Sequence, residues 1–136
     1  MKINKTLAYG LCCLRYLDKY GHNNCVQISD ISKMEKLPMA YCNKVMQTLV
    51  HTGWVESKKG KGFRLVKNLD DINVSDLIEA FTYNSAPDID SKSIAIKLYK
   101  NMREHIDRWL VGLTVKDVII SVDFDMEDKE DKKEKY

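Results

Sequence analysis

The stretch VQISDISKMEKLPMAYCNKVMQTLVHTGWVESKKGKGFRLV, residues 26–66, decides the fold. At its centre stands Leu37-Pro38: the residue before a proline avoids helical geometry, while proline fits the first turn of a new helix without losing a hydrogen bond. On the N-terminal side, Ile28, Ile31 and Met34 share one face of a short helix, Ile28–Lys36. On the C-terminal side, Cys42, Val45, Met46 and Leu49 stand at i, i+3, i+4 and i+7 of a helix Met39–Thr52 that Gly53 closes. Tyr41, Asn43, Lys44, Gln47 and His51 are then left outward. Trp54–Ser57 and Phe63–Val66 read as two short strands around Lys58-Lys59-Gly60-Lys61-Gly62, a hairpin with a cationic tip.

Upstream, Leu7, Leu11 and Leu14 repeat at helical spacing between Asn4 and Tyr20, with Tyr9, Cys13, Tyr16 and Tyr20 as a second stripe. The polar cluster Gly21–Asn24 stops that helix and leaves Cys25 at a loop edge. Downstream, Asn73 caps a fourth helix bearing Val74, Leu77, Ile78 and Phe81, and Thr82–Ser91 is turn-rich. A fifth and longest helix, Ser93–Leu113, carries Ala95, Leu98, Tyr99, Met102, Ile106, Trp109, Leu110 and Leu113 on one stripe, and extends about 30 Å at 1.5 Å per residue. Such a stripe needs a long partner. Thr114 and Asp117 suggest a short capped helix ending near Ile120, and Asp123–Tyr136 is a mixed-charge tail predicted to be disordered.

With 136 residues, 44% apolar and 31% charged, two prolines and six glycines, the chain has the composition of one globular domain with appendages, not of a collagen-like or low-complexity protein. No apolar span reaches membrane length and the start lacks a secretory pattern, so a cytoplasmic protein is expected. There the four cysteines are reduced thiols, and no CxxC spacing points to zinc. His22, His51 and His105 show no HxxxH pairing, and no GxSxG, P-loop or GxGxxG stands in a fitting context. No metal, no cofactor and no enzymatic activity are therefore expected. Net charge is only +2, but residues 1–67 carry +8, residues 68–122 carry −3 and residues 123–136 carry −3. A basic half is what a polyanion-binding surface needs, because phosphate binding follows the local field.

Two short helices around a tight break, the second with polar residues outward, followed by a basic hairpin, describe a mainly α winged helix-turn-helix with a two-stranded β wing and a long C-terminal dimerisation helix. Here the sequence resembles the Rrf2 family of bacterial transcription regulators, typified by the iron–sulfur regulator IscR and the nitric-oxide sensor NsrR, over about residues 1–120. MKINKTLAYGLCCLRYL looks like the family's first helix, VQISDISKMEKLPMAYCNKVMQTLVHTGWVES like its helix-turn-helix and the start of the wing, INVSDLIEAF like the helix after the wing, and LTVKDVI like its terminal helix.

The resemblance implies a homodimer on double-stranded DNA with a palindromic operator, built from a DNA-binding domain (1–82), a dimerisation segment (83–122) and a tail (123–136). It implies that Tyr9, Pro38, Met39, Tyr41, Asn43 and Lys44, with Lys58, Lys59, Lys61 and Arg64 on the wing, face bases or phosphates. Leu98, Tyr99, Met102, Ile106, Trp109 and Leu113 would form the dimer interface. Two departures stand out. The wing, Lys59-Gly60-Lys61-Gly62-Phe63, is shorter than the family's glycine-rich one. The loop TYNSAPDIDS lacks the three cysteines of cluster-bearing members, position 8 is Ala8, and no cysteine follows Cys42. The expectation is a cluster-free repressor. Cys12, Cys13 and Cys42 read as core, and Cys25 is the candidate redox thiol. The rival readings are a regulator sensing through an unrecognised ligand and an interaction module that has lost DNA binding.

Overall fold

The computed structural model describes residues 4–82 and 92–123. Residues 1–3, 83–91 and 124–136 lie outside the described residues, and with them most of the turn-rich linker and the tail expected to be disordered, except Asp123, which is helical and pairs with Arg15. Helices α1 (Lys5–Tyr20), α2 (Ile28–Glu35) and α3 (Met39–Thr52) are followed by strands β1 (Val55–Lys58) and β2 (Gly62–Leu65) and by a 3-10 turn at Leu69–Asp71. Then come α4 (Val74–Thr82), α5 (Ile94–Trp109) and a helix over residues 115–123, here α6.

Local chemistry sets the boundaries. Asn4 Oδ1 accepts hydrogen bonds from the amides of Thr6 (3.0 Å) and Leu7 (3.4 Å), so α1 starts on a side-chain cap. The break between α2 and α3 combines Lys36, which adopts left-handed geometry (φ 56°, ψ 47°), with Pro38 in extended geometry immediately before α3. Gly53 (φ 84°) closes α3 as its sequence predicts.

Leu14 and Leu17 from α1, Ile31 from α2, and Val45, Met46 and Leu49 from α3 are fully buried, together with Leu65, Leu69, Ile72, Leu77 and Val115. Each such side chain stabilises the fold by about 1.5–3 kcal/mol. Gly10 admits α4 at close range: a Cβ there would come within 2.7 Å of the Phe81 ring. Cys13 and Cys42 are buried in this core and Cys12 is half-buried.

Three expectations need correction. Met34 is 62% exposed, because the eight-residue α2 buries only Ile31 and the next buried contact is Leu37, beyond its end. Tyr20 is 46% exposed, since α1 ends there and its ring lies tilted at 48° against the buried Tyr16. α5 stops at Trp109 and not at Leu113, because the chain turns through Leu110 to Gly112 (φ 83°); its 16 residues span about 24 Å.

The chain returns to its core after α5 by pairing with itself. Val74 N donates to Leu113 O (3.0 Å) and Val115 N to Ile72 O (2.9 Å), which delivers Val115 and Ile119 of α6 into the core. Ion pairs then hold α6 to α1: Lys116 with Asp18, and Arg15 Nε with Asp123 Oδ1 (2.8 Å). Asp18 also accepts from His22 Nε2 (2.9 Å). Burial opposes its ionisation, but hydrogen bonds and charge from Lys116 and His22 outweigh burial and hold the carboxyl below the usual aspartate range. A lowered native pKa contributes stability above the ordinary value of about 4 and loses it as pH falls through the native value. Asp18→Asn should therefore lower stability at pH 7, with the gap to the wild type narrowing as pH drops below about 4. Urea titrations across pH measure this, and a gap independent of pH would refute it.

The wing is an antiparallel pair with Val55 opposite Leu65, Glu56 opposite Arg64, Ser57 opposite Phe63 and Lys58 opposite Gly62. Val26 adds a third chain at its edge, exchanging both backbone hydrogen bonds with Phe63 at 2.8 Å. The close approach requires glycine at position 62, where φ is +108° and a Cβ would overlap the Val26 carbonyl. Gly62→Ala should cost about 2 kcal/mol or more through strain and lost bridge bonds, read from urea denaturation. A change under about 0.5 kcal/mol would show that the bridge bears no load.

Candidate nucleic-acid interface

Because Cys42, Val45, Met46 and Leu49 turn inward, the opposite face of α3 is left to solvent. Pro38, Met39, Tyr41, Asn43 and Lys44 are all exposed there, as are Ala40, Gln47 and His51. Among the described residues, the side chains of Asn43 and Lys44 have no hydrogen-bond or ion-pair partner within the chain. Tyr41 does have a neighbour. Its ring meets Tyr9 of α1 edge-on, with centroids 5.3 Å apart at 74°, so the predicted site residue Tyr9 is joined to the first turn of α3.

The wing presents Lys58, Lys59 and Lys61 to solvent. Arg64 is placed differently: its Nε donates to Glu56 Oε1 (2.8 Å) across the strands and one terminal nitrogen donates to His22 O (3.1 Å). It braces the wing against the end of α1, and its hydrogen bond holds the Glu56 carboxyl below the usual range. Lys58 Nζ lies 3.8 Å from the same carboxylate.

Cys25 is half-buried and lines an open cleft of about 450 Å³ together with Lys58, Lys61 and Arg64. In sequence it has no basic neighbour, whereas three cations line the same cleft. The other thiols are poor nucleophiles. Burial, then the neighbouring Cys42 and Cys12 sulfurs, push the Cys13 thiol far up, and burial likewise raises Cys12 and Cys42.

Of the dimer-interface candidates, Leu98 (62%), Met102 (51%) and Trp109 (91%) are heavily exposed, and Tyr99 and Ile106 partly so. Leu113 lies beyond the helix, in the backbone pairing with Val74. No residue of α5 is buried. Sequence periodicity located this face; it missed the left-handed Lys36, the Val26–Phe63 bridge and the bond from Gln27 Nε2 to Lys61 O (3.0 Å), none of which has a local signal.

A polar-faced helix after a tight break, set beside a lysine-tipped antiparallel ribbon, defines the class of winged helix-turn-helix DNA-binding proteins. The Rrf2 family model, described as an iron-dependent transcriptional regulator, matches residues 3–121, and the chain belongs to this family of DNA-binding transcription regulators, which are not enzymes. An HTH-type transcriptional regulator of Aquifex aeolicus is 29% identical over 133 residues, covering 88% of this chain and 92% of that protein. The fold is shared with CymR, the global cysteine regulator of B. subtilis (TM-score 0.63, 23% identity, 88% of this chain and 96% of that one). It is shared too with the oxidized form of Staphylococcus aureus CymR (0.62, 25%, 88% and 96%) and with T. potens IscR (0.65, 20%, 90% and 88%). No helix among the described residues is long and apolar enough to cross a membrane.

The family's iron raises the question of whether this chain's donors fit an iron–sulfur cluster. Among the described residues, no three His, Cys, Asp or Glu side chains converge as a metal site. Residues 83–91 contain neither cysteine nor histidine, and Cys13 and Cys42 lie inside the core. Cys12, Cys13 and Cys42 neighbour one another, but burial keeps them as thiols and not as the thiolates a cluster requires, so the residues present do not fit one.

Proposed function

We propose that the protein is a homodimeric, sequence-specific repressor that binds a palindromic operator, carries no iron–sulfur cluster and responds to oxidation of Cys25. The observation that carries the DNA reading is the uncommitted polar face of α3 beside a wing bearing three exposed lysines. Residues 1–82 are the reading head and 83–122 the dimerising arm. Met39, Tyr41 and Asn43 face the bases. Tyr9 and Pro38 set the approach of α3, Lys44, Lys58, Lys59 and Lys61 contact phosphate, and Arg64 acts through the wing it braces.

If each subunit makes three or four phosphate contacts, raising salt from 50 to 200 mM costs about 10³ to 10⁴ in affinity. Lys59→Ala should weaken all sequences alike. Asn43→Ala should change base preference at one operator position, worth about 1–3 kcal/mol, because an outward amide can pair with adenine in the major groove. Binding selections from randomised DNA with each variant measure both effects. A Lys59 variant with unchanged salt slope would remove the wing from the interface.

The homodimer rests on α5, whose apolar stripe is not buried among the described residues. A second copy of the same stripe supplies a self-complementary two-fold partner, and with it a two-fold operator. Ile106→Asp would place an unpaired charge in that interface and should yield monomers by sedimentation, or insoluble protein. A dimer that survives the change lies elsewhere.

Cys25 is the one thiol that neither lies in the hydrophobic core nor packs against it, and it sits where the α1–α2 connection meets the wing. Anaerobically purified protein should be colourless and bind DNA. Peroxide should then lower the affinity of the wild type and leave Cys25→Ser unaffected. An iron–sulfur absorbance would overturn the cluster-free reading, and an equal response of both proteins would overturn the role of Cys25.

A further inference from the structure

The cleft beside the wing is built rather than incidental. One wall is the α1–α2 connection, with Asn23, Asn24 and Cys25; the other is the wing, with Lys58, Lys61 and Arg64. The Val26–Phe63 bridge, the Gln27–Lys61 bond and the Arg64–His22 bond fix the two walls to each other before any ligand arrives. Its volume, about 450 Å³, falls within the range of small-molecule sites and exceeds what a single ion fills.

Three cations and three exposed side-chain amides line it, and no carboxylate does. Glu56, the acid that pairs with Arg64, stands outside the lining. Lys61 has no ion-pair partner among the described residues, and Lys58 has only the 3.8 Å contact to Glu56. A concave, preformed site whose donors outnumber its acceptors in this way selects negative charge and multiple acceptor oxygens.

We propose that this cleft binds a small multivalent anion, a molecule bearing phosphate or carboxylate groups, and that its occupant competes with DNA. Lys58 and Lys61 belong to the cleft and to the proposed DNA-facing set alike. An anion held there takes both away from the operator backbone, so a metabolite could release the protein without any change in fold. The competition rests on the DNA reading above; occupancy of the cleft does not.

The test uses the full chain with inorganic pyrophosphate as probe, at constant ionic strength kept with sodium chloride. A duplex phosphate and a free anion share the same chemistry, so the first readout omits DNA. Amide shifts of Asn24, Cys25 and Lys61 in the 15N-labelled protein should saturate with a dissociation constant of about 1 mM or tighter. The double variant Lys58→Ala/Lys61→Ala should weaken this at least about tenfold, whereas Lys33→Ala, which removes a charge from α2 outside the cleft, should leave it unchanged. In the second readout, pyrophosphate should raise the apparent operator dissociation constant of the wild type beyond the effect of matched sodium chloride, and this excess should vanish in the double variant. Shifts that never saturate, or that follow Lys33→Ala as closely as the cleft variant, mean an adventitious ion only and overturn the proposal. Saturable binding with no effect on operator affinity overturns the competition. Absence of operator binding altogether would instead sink the DNA reading, and the first readout would still judge the cleft.

Discussion

The molecule depends on a closure two residues wide. Between Thr82 and Thr114 the chain runs through a helix that buries none of its own residues, and an excursion of that kind is stable only if both ends are anchored. The backbone exchange between Ile72–Val74 and Leu113–Val115 is that anchor. It makes the entropic cost of a long loop worth meeting, because the returning segment delivers Val115 and Ile119 to the core and Lys116 to Asp18. Without it, α5 would have no fixed bearing on the reading head. With it, the apolar stripe is held out at a set position, and a partner that covers the stripe inherits a defined spacing between heads.

Arg15 extends the same coupling. Its guanidinium reaches Asp123 at the end of α6 (2.8 Å) and Glu35 at the end of α2 (3.6 Å), so one side chain on α1 touches both the arm and the first helix of the helix-turn-helix. These are partly exposed pairs and contribute modestly to stability. Their value is positional: they fix the rotation of α6 on α1, while the Val26–Phe63 bridge fixes the wing on the α1–α2 connection. Head, wing and arm are thus all referred to α1, which explains why that helix is covered on several sides and keeps a glycine where Phe81 presses against it.

How far the sequence could be read follows from how local each determinant is. The stripe Cys42, Val45, Met46 and Leu49 was legible because its period is a property of α3 alone, and the exposed site face is simply its complement. Met34 departs from its stripe because an eight-residue helix offers too few turns for a stripe to be distinguished from chance, and Leu17 is fully buried although it stands outside the Leu7, Leu11 and Leu14 repeat. Lys36 carries no signal, since nothing in a lysine announces left-handed geometry. Arg64 was legible as a wing cation but not as a brace: its partners are set by the strand register opposite Glu56 and by a carbonyl 42 positions away in the chain. Cys25 gains its cationic surroundings in the same non-local way.

The division of cations in the head has a chemical logic. Arg15 and Arg64, the two that stitch elements together, are arginines, whose planar fork reaches two partners in fixed directions. Lys44, Lys58, Lys59 and Lys61, the four that face solvent on α3 and the wing, are lysines, compact hydrated charges on flexible stems. Lysines can follow a phosphate backbone without demanding a particular geometry, which suits sequence-independent attraction. In the proposed reading, discrimination falls mainly to the uncharged face of α3, where Asn43 would offer paired donor and acceptor and Met39 and Tyr41 apolar surface to thymine methyl groups. In the same proposed reading, a surface divided in this way attracts DNA of any sequence through the wing and tests it through the first turns of one helix, and an anion held by the wing lysines weakens the attraction and leaves the test intact.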